Sequence, residues 1–427
     1  MEKNKSTVFD LNVENIPDDW GIVSLKAIDL GGKENIDPRA YPGDDFEYYS
    51  IPAYQEGGKP VIEKGKNILS QKIIVQNDSV LFGKLNPRVE KVWHVQSETG
   101  YKKIASTEFI PIYPDQEKIF PRYLYYVEWS KFVMPKAKTL VTGSTPSRQR
   151  VDPTSFFKIK IPLPSRTEQV RIAFILSKLQ QAIEQQEQII TKTKELKRSL
   201  MHWLFTYGLW GEELKETEIG LIPKSWEIVE VDTLGEIITG TTPPTKNKEY
   251  YKGGGFQFIS PVDLGDTKYV YKTEKEISSE GLRVSRILPK DAVLVVCIGS
   301  TTGKVGLTFK DKSTTNQQIN TIICRKEFNP HFIYYLLDFK SDYIRSLSTP
   351  SPVPILSKGK FQRAVIPMIK NKQEQDKIAE ILSAIDEKIE KAKYRKQTLQ
   401  SLFKTMLNQL MTGKVRVKDI DFGEINV

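Results

Sequence analysis

Few residues in this chain are spaced to make or break bonds. The three histidines, His94, His202 and His331, are far apart in the sequence, and each reads as a surface or boundary residue. Two cysteines, Cys297 and Cys324, are too few for a disulfide framework or a cysteine-rich zinc site. Gly299-Ser300-Thr301-Thr302-Gly303-Lys304-Val305 approaches a phosphate-binding loop. It is one residue short, however, and Val305 stands where a serine or threonine would hold Mg²⁺. It is read instead as a strand end and tight turn that offers hydroxyls, backbone N–H groups and Lys304 outward. No Asn/Asp-Pro-Pro-aromatic tetrapeptide, His-Glu-x-x-His or Gly-x-Ser-x-Gly occurs.

The chemistry that remains is binding. Polar, basic loops follow strand-like runs in both halves of the chain. In the first half they carry Lys84, Asn86, Arg88 and Lys91, then Ser144, Thr145, Ser147, Arg148 and Arg150. In the second half they carry Thr241, Thr242 and Lys246, then Ser300, Thr301, Thr302 and Lys304, then Asn316 and Gln317, and lastly Ser348, Thr349, Ser351, Lys358 and Lys360. Lysine and arginine neutralise phosphates. Asparagine, glutamine and arginine pair with base edges. A net charge of +10 favours a polyanionic partner, nucleic acid first. Hydrophobic content of 39% and charged content of 27% suit a soluble globular protein. No apolar run approaches the ~20 residues of a membrane span, and the N-terminus has no apolar signal core. A cytoplasmic protein with no membrane partner is the expectation.

The elements that must position these loops are duplicated. Ile16-Pro17-Asp18-Asp19-Trp20 returns as Ile222-Pro223-Lys224-Ser225-Trp226, a shift of 222 − 16 = 206. Glu168-Gln169 returns as Glu374-Gln375 at the same shift. Between these anchors the register drifts: Asp78–Leu81 resembles Asp291–Leu294, Pro121–Tyr126 resembles Pro330–Tyr335, and Ser144–Ser147 resembles Ser348–Ser351. Each copy therefore has a globular part with variable loops and a part of fixed length. The fixed part is helical. From Glu168 to about Phe205 there is no Pro or Gly. Ile172, Leu176, Leu179, Ile183, Gln186, Ile190, Thr193, Lys197, Leu200 and Leu204 step by four and three. The second copy runs from Ile378 through Leu382, Ile385, Ile389, Ala392, Lys396, Leu399, Phe403 and Met406 to Leu410. Gly208 and Gly413 stand as stop signals. Two such seams in one chain most simply pair about a pseudo-twofold axis, antiparallel. The globular parts, about 13–165 and 219–370, read as α+β. Strands are expected at Lys72–Val75, Ser79–Phe82, Ala292–Ile298 and Thr321–Cys324, and helices at Tyr123–Phe132 and His331–Asp338. Trp20 and Trp226 read as packing anchors.

With these features in order, the sequence resembles a specificity subunit of a type I restriction-modification enzyme over essentially its whole length. Ile-Pro-x-x-Trp at each domain entry, Ile161-Pro162-Leu163-Pro164 before Glu168, and Leu410 to Val417 at the end carry the likeness. The resemblance implies two α/β target recognition domains, 1–165 and 209–370, each reading half of a split DNA sequence. They would be separated by an antiparallel coiled coil of the helices 166–208 and 371–413, with 414–427 as a tail. It also implies a non-catalytic chain binding double-stranded DNA, two methyltransferase subunits and endonuclease/translocase subunits. No cofactor is expected on this chain; S-adenosylmethionine, ATP and Mg²⁺ belong to the partners. A protein-interaction scaffold without DNA readout and a self-sufficient nuclease or methyltransferase are the alternatives.

On this reading the helices set the gap in the DNA target. Deleting four residues from one long helix shortens that arm by ~6 Å. Mapping of methylated adenines should then find an altered gap between unaltered half-sequences; altered halves with the old gap refute the idea.

Overall fold

The computed structural model describes residues 16–265 and 267–418. Residues 1–15 of the expected first domain, and the expected tail from 419 on, lie outside the described residues. Two compact units emerge: residues up to Glu184 together with those from Gln397, and Gln185–Lys396. Each holds one globular domain and part of each long helix. This division cuts across the expected one because each helix half shares a core with a domain.

The long helices are Arg166–Tyr207 and Lys372–Met411. Ser165 Oγ accepts the Glu168 N–H at the first start, and Asn371 Oδ1 accepts the Gln373 N–H at the second. Gly208 (φ 72°) and Gly413 (φ 66°) end them in the left-handed region that side chains avoid. Every expected seam position is buried or half-buried, Gln186, Thr193 and Lys197 included, while Glu184, Gln185, Gln188, Glu387, Lys388 and Lys391 face solvent.

In the first unit, Val80–Gly83 is the centre of an antiparallel sheet between Val92–His94 and Phe109–Ile112. Val80, Phe82 and Ile112 pack under the helix Pro121–Trp129, whose Tyr123, Leu124 and Val127 meet Ile172 and Leu176 of the first long helix. Leu81 and Trp93 face a second core with Tyr49 and Phe109. That core adjoins a five-stranded mixed sheet ordered Asn35–Ile36, Lys72–Ile74, Lys102–Ala105, Asp45–Tyr49, Val61–Lys64. The entry strand Gly21–Ser24 pairs with the exit strand Lys160–Leu163, so the two Ile-Pro segments close the domain on each other. Leu410 and Met411 join this core beside Ile172. Phe403, further back along its helix, lies 6.0 Å from Tyr126, which bonds Ser177 and Gln180. The helix halves in this unit are therefore antiparallel.

A polar clamp finishes the first unit. Trp20 Nε1 donates to Glu168 at 3.0 Å. Arg416 donates to Glu168 and, through both terminal nitrogens, to Asp19 at 2.7–2.9 Å, with its guanidinium over the Trp20 ring. The indole is buried as expected of an anchor, and so is that of Trp226.

The second unit repeats the plan. Glu227–Glu230 pairs with Val365–Met368. The central strand Val293–Val296 runs between Val305–Thr308 and Ile319–Cys324. The helix Pro330–Phe339 lies against these strands and against Ile378 and Leu382. Met201, Leu204 and Phe205 share this core, Lys197 pairs with Asp386 at 2.7 Å, and Glu187 pairs with Lys396. Moving back from 205 to 187 thus meets 378 to 396, again antiparallel. The expected strands and domain helices all form, displaced by a few residues at their ends.

Glu128 departs from its surroundings. It is fully buried in the helix Pro121–Trp129 and, among the described residues, neither carboxylate oxygen has a hydrogen-bond partner. Burial alone raises its pKa well above the carboxylate range. The equivalent residue of the second unit, counted from Pro121 and Pro330, is Leu337, buried in the core. Glu128→Leu should therefore stabilise the protein by about 1–3 kcal/mol, the cost of an unmet buried polar group. The unfolded chain releases this proton above about pH 4.3 and the folded chain holds it. The native state is thus penalised more as pH rises, and the gain in melting temperature should be larger at pH 8 than at pH 5. A gain independent of pH would show that Glu128 does not hold its proton in the fold.

Candidate nucleic-acid interface

In both units the polar loops leave the ends of the central sheet and are tied to one another by backbone hydrogen bonds. In the first unit the loop after Val80–Gly83, the turn before Phe109 and the segment before Val151 converge. Lys84 N–H donates to the Glu108 carbonyl (2.9 Å), Val151 N–H to the Lys84 carbonyl (3.0 Å) and Asn86 N–H to the Gln149 carbonyl (2.8 Å). Leu85 and Arg150 form an isolated bridge. Arg150 is exposed and its guanidinium grips Glu108 through Nε and Nη2. Ser144, Thr145, Ser147, Arg148 and Arg88 are exposed around this knot. Asn86 holds φ 48°, and its side-chain oxygen is buried with no partner among the described residues. The Lys84 amine is half-buried, and that burial lowers its pKa while Glu108 opposes the shift.

The second unit brings equivalent segments together. Cys297 N–H donates to the Gln318 carbonyl (2.7 Å), Leu356 N–H to the Cys297 carbonyl (2.8 Å) and Gly299 N–H to the Pro354 carbonyl (2.9 Å). Ile298 and Ile355 form the bridge that Leu85 and Arg150 form in the first unit. Thr241 N–H donates to the Thr315 carbonyl (2.9 Å), and Thr242 Oγ1 donates to Gln317 Oε1 (2.5 Å). Asn316 exchanges two hydrogen bonds with Gln318 and so shapes the turn, whereas Gln317 at its apex is exposed. Ser300 and Thr301 are exposed at the next turn and Lys304 is half-buried beyond it. Ser348, Thr349 and Ser351 spend their hydroxyls within their own loop, on the Arg345 carbonyl, the Ile355 N–H and the Val353 carbonyl. Lys358 and Lys360 are exposed on the short helix Lys358–Gln362 that follows Leu356, and Lys246 is exposed on a separate loop.

Two sequence candidates face inward. Lys91 is 3% exposed, and its ammonium caps the Val89 and Asn86 carbonyls. Its long stem packs beside Gly83, so it braces the loop from within. Thr302 is 4% exposed and donates to the Gly299 carbonyl, closing its turn. The segment Gly299–Val305 leads into the strand Val305–Thr308 and not into a helix. The helix N-terminus that a phosphate loop requires is therefore missing here. Glu108 is not among the residues expected from the sequence: basic and amide chemistry passes over an acid, and only the pairing with Arg150 gives it a role.

The histidines sit elsewhere. His94 is mostly buried, 3.2 Å from Asp78; burial lowers its pKa and Asp78 pulls the other way. His331 stands near Asp291 at 3.8 Å, its pKa lowered by burial and by Lys268. Asp78 and Asp291 are equivalent, and both hold positive φ before a central strand. Among the described residues no group of three or more His, Cys, Asp or Glu converges as a metal would require, and no helix is long and apolar enough to cross a membrane.

Comparison with known proteins agrees with the duplication. The family described as type I restriction modification DNA specificity domain matches residues 17–195 and 223–401. Both ends shift by 206 residues (223 − 17 and 401 − 195). The chain is 27% identical to the putative type I restriction enzyme MjaX specificity subunit of Methanocaldococcus jannaschii, over 95% of this chain and 96% of that one. It is 28% identical to the EcoR124I/EcoR124II specificity subunit of Escherichia coli over 64% of this chain and 65% of that one. Its fold resembles the type I restriction-modification S subunit from M. genitalium (TM-score 0.61, 15% identity, 94% and 98% coverage). It also resembles a chain from a structure titled for complex assembly and conformational transition of the type I R-M system (TM-score 0.55, 20% identity, 94% and 99% coverage). With two copies of the domain spanning most of its length, this chain belongs to the type I restriction-modification DNA specificity family.

Proposed function

We propose that this chain is the sequence-specificity subunit of a type I restriction-modification complex. It reads a bipartite DNA target with one domain per half-site and docks two methyltransferase subunits, with endonuclease/translocase subunits joining for cleavage. The observation that carries this reading is the recurrence of one loop cluster in both units on one sheet plan, with different side chains. Exposed Arg88, Arg148 and Arg150 in the first unit, and Gln317, Thr242 and Ser300 in the second, suit phosphate and base contacts of different specificity. The chain acts as a non-catalytic reader in the cytoplasm; S-adenosylmethionine, ATP and Mg²⁺ are held by the partner subunits.

A partner surface is supported by the first long helix within the second unit. Ile189, Leu196 and Trp203 recur at heptad spacing and are 39%, 51% and 41% exposed, with Tyr207 one turn on. Seven-residue spacing puts them on one helix face, and apolar side chains left out in this pattern suit a docked protein helix.

Two outcomes test the proposal. Co-expression with the neighbouring methyltransferase should yield methylation of a two-part sequence, and exchanging residues 13–165 for a relative's region should change one half only. Failure of the complex to methylate or retain DNA while it still assembles would favour the scaffold reading. Leu196→Asp with Trp203→Asp should abolish co-purification with the methyltransferase and leave the melting temperature within about 2 °C. Unchanged co-purification would remove this face as the docking surface.

A further inference from the structure

We infer that Arg150 reads a guanine in the half-site served by the first unit, with Glu108 as its positioning residue. The inference rests on the proposed function and specifies how one base is chosen. Arg150 uses one edge of its guanidinium on Glu108: Nε lies 3.1 Å from Oε2 and Nη2 2.9 Å from Oε1. Nη1 donates to the Arg148 carbonyl at 3.3 Å. Of the five N–H groups, Glu108 takes two and the Arg148 carbonyl one, so Nη1 and Nη2 each keep one N–H for a base; on the end edge of the planar fork two such donors lie parallel. Two parallel donors match O6 and N7 of guanine in the major groove; adenine presents an amino group where O6 would be and cannot accept both.

The mount is rigid where a reader needs it. The backbone of Arg150 is bridged to Leu85, and its neighbour Val151 donates to the Lys84 carbonyl, while Lys84 N–H donates to the Glu108 carbonyl. Both members of the pair are therefore held by one ladder of main-chain bonds. The Arg150 side chain is 47% exposed. A pair so open to water adds little to stability. Fixing the fork beforehand lowers the entropy lost when it meets a base. Arg88 and Arg148 are exposed on the same loops, and among the described residues neither pairs with a carboxylate, which suits mobile phosphate contacts. In the second unit, strand register puts Gln318 in the place of Glu108, and the bridge puts Ile355 in that of Arg150. That domain lacks the fork, as expected if the half-sites differ.

The test uses the full chain in complex with its methyltransferase, and methylated adenines are mapped for wild type, Arg150→Ala, Arg150→Lys, Glu108→Gln and Arg88→Ala/Arg148→Ala. The wild-type half-site of the first unit should contain a G·C pair. Arg150→Ala should accept any base there, discrimination falling roughly 10-fold or more. Arg150→Lys and Glu108→Gln should relax the same position partly, and the other half should stay intact. Arg88→Ala/Arg148→Ala should slow methylation at all sites and keep the sequence. The inference falls if that half-site has no G·C pair, or if Arg150→Ala keeps the sequence unchanged. It falls too if all three pair variants lose methylation and melt earlier, which marks the pair as structural. A wild-type complex that methylates no two-part sequence would sink the proposed function itself, and the inference with it.

Discussion

A single buried glutamine in each copy fastens domain to helix, and the rest of the architecture hangs from that joint. Gln169 accepts the Phe120 N–H at 2.7 Å and donates to the Pro164 and Lys118 carbonyls. Gln375 accepts the Asn329 N–H at 2.8 Å and donates to the Ile369 carbonyl, with a longer contact to Glu327. Both are essentially inaccessible to water. Each ties the start of a long helix to the chain entering a domain helix. An apolar replacement would strand buried backbone groups at about 1–3 kcal/mol each. Only an amide of this length both accepts and donates here, which accounts for Gln169 returning as Gln375 while the loops around it drift.

The next contacts along each helix show one scaffold carrying two chemistries. Tyr126 reaches Ser177 and Gln180; its counterpart Tyr335 reaches Ser383 and Asp386. Beside the first tyrosine lies Phe403, and over the second lies the Lys197 ammonium, which also pairs with Asp386. Positions 197 and 403 are 206 apart, so an aromatic contact in one copy is an ion pair with a cation–π contact in the other. The entry tryptophans diverge likewise. Trp20 finds Glu168, whereas the Trp226 N–H is buried without a partner among the described residues.

The loop clusters follow the same rule. Main-chain bonds between loops recur almost position for position, because they continue the sheet register and depend little on side chains. What changes is what the ladder displays: Arg150 and Glu108 in one unit, Ile355 and Gln318 in the other. A scaffold of this kind lets recognition change by substitution without disturbing the core.

Much of this was written in the sequence. The repeat, both long helices, the seam with its polar members, the entry tryptophans and the central strands follow from periodicity and from spacing between copies, because these are local or translational signals. Side-chain fate within loops was not, since a lysine in a polar loop reads the same whether it faces water or caps carbonyls. Lys91 and Thr302 turned inward, Lys197 found Asp386, and Glu108 became a partner of Arg150 from 42 residues away. Ile189, Leu196 and Trp203 stayed outside although they are apolar. Heptad pattern determines which face pairs; only the packed structure decides which side chains beside that face are covered, because that depends on residues distant in the chain.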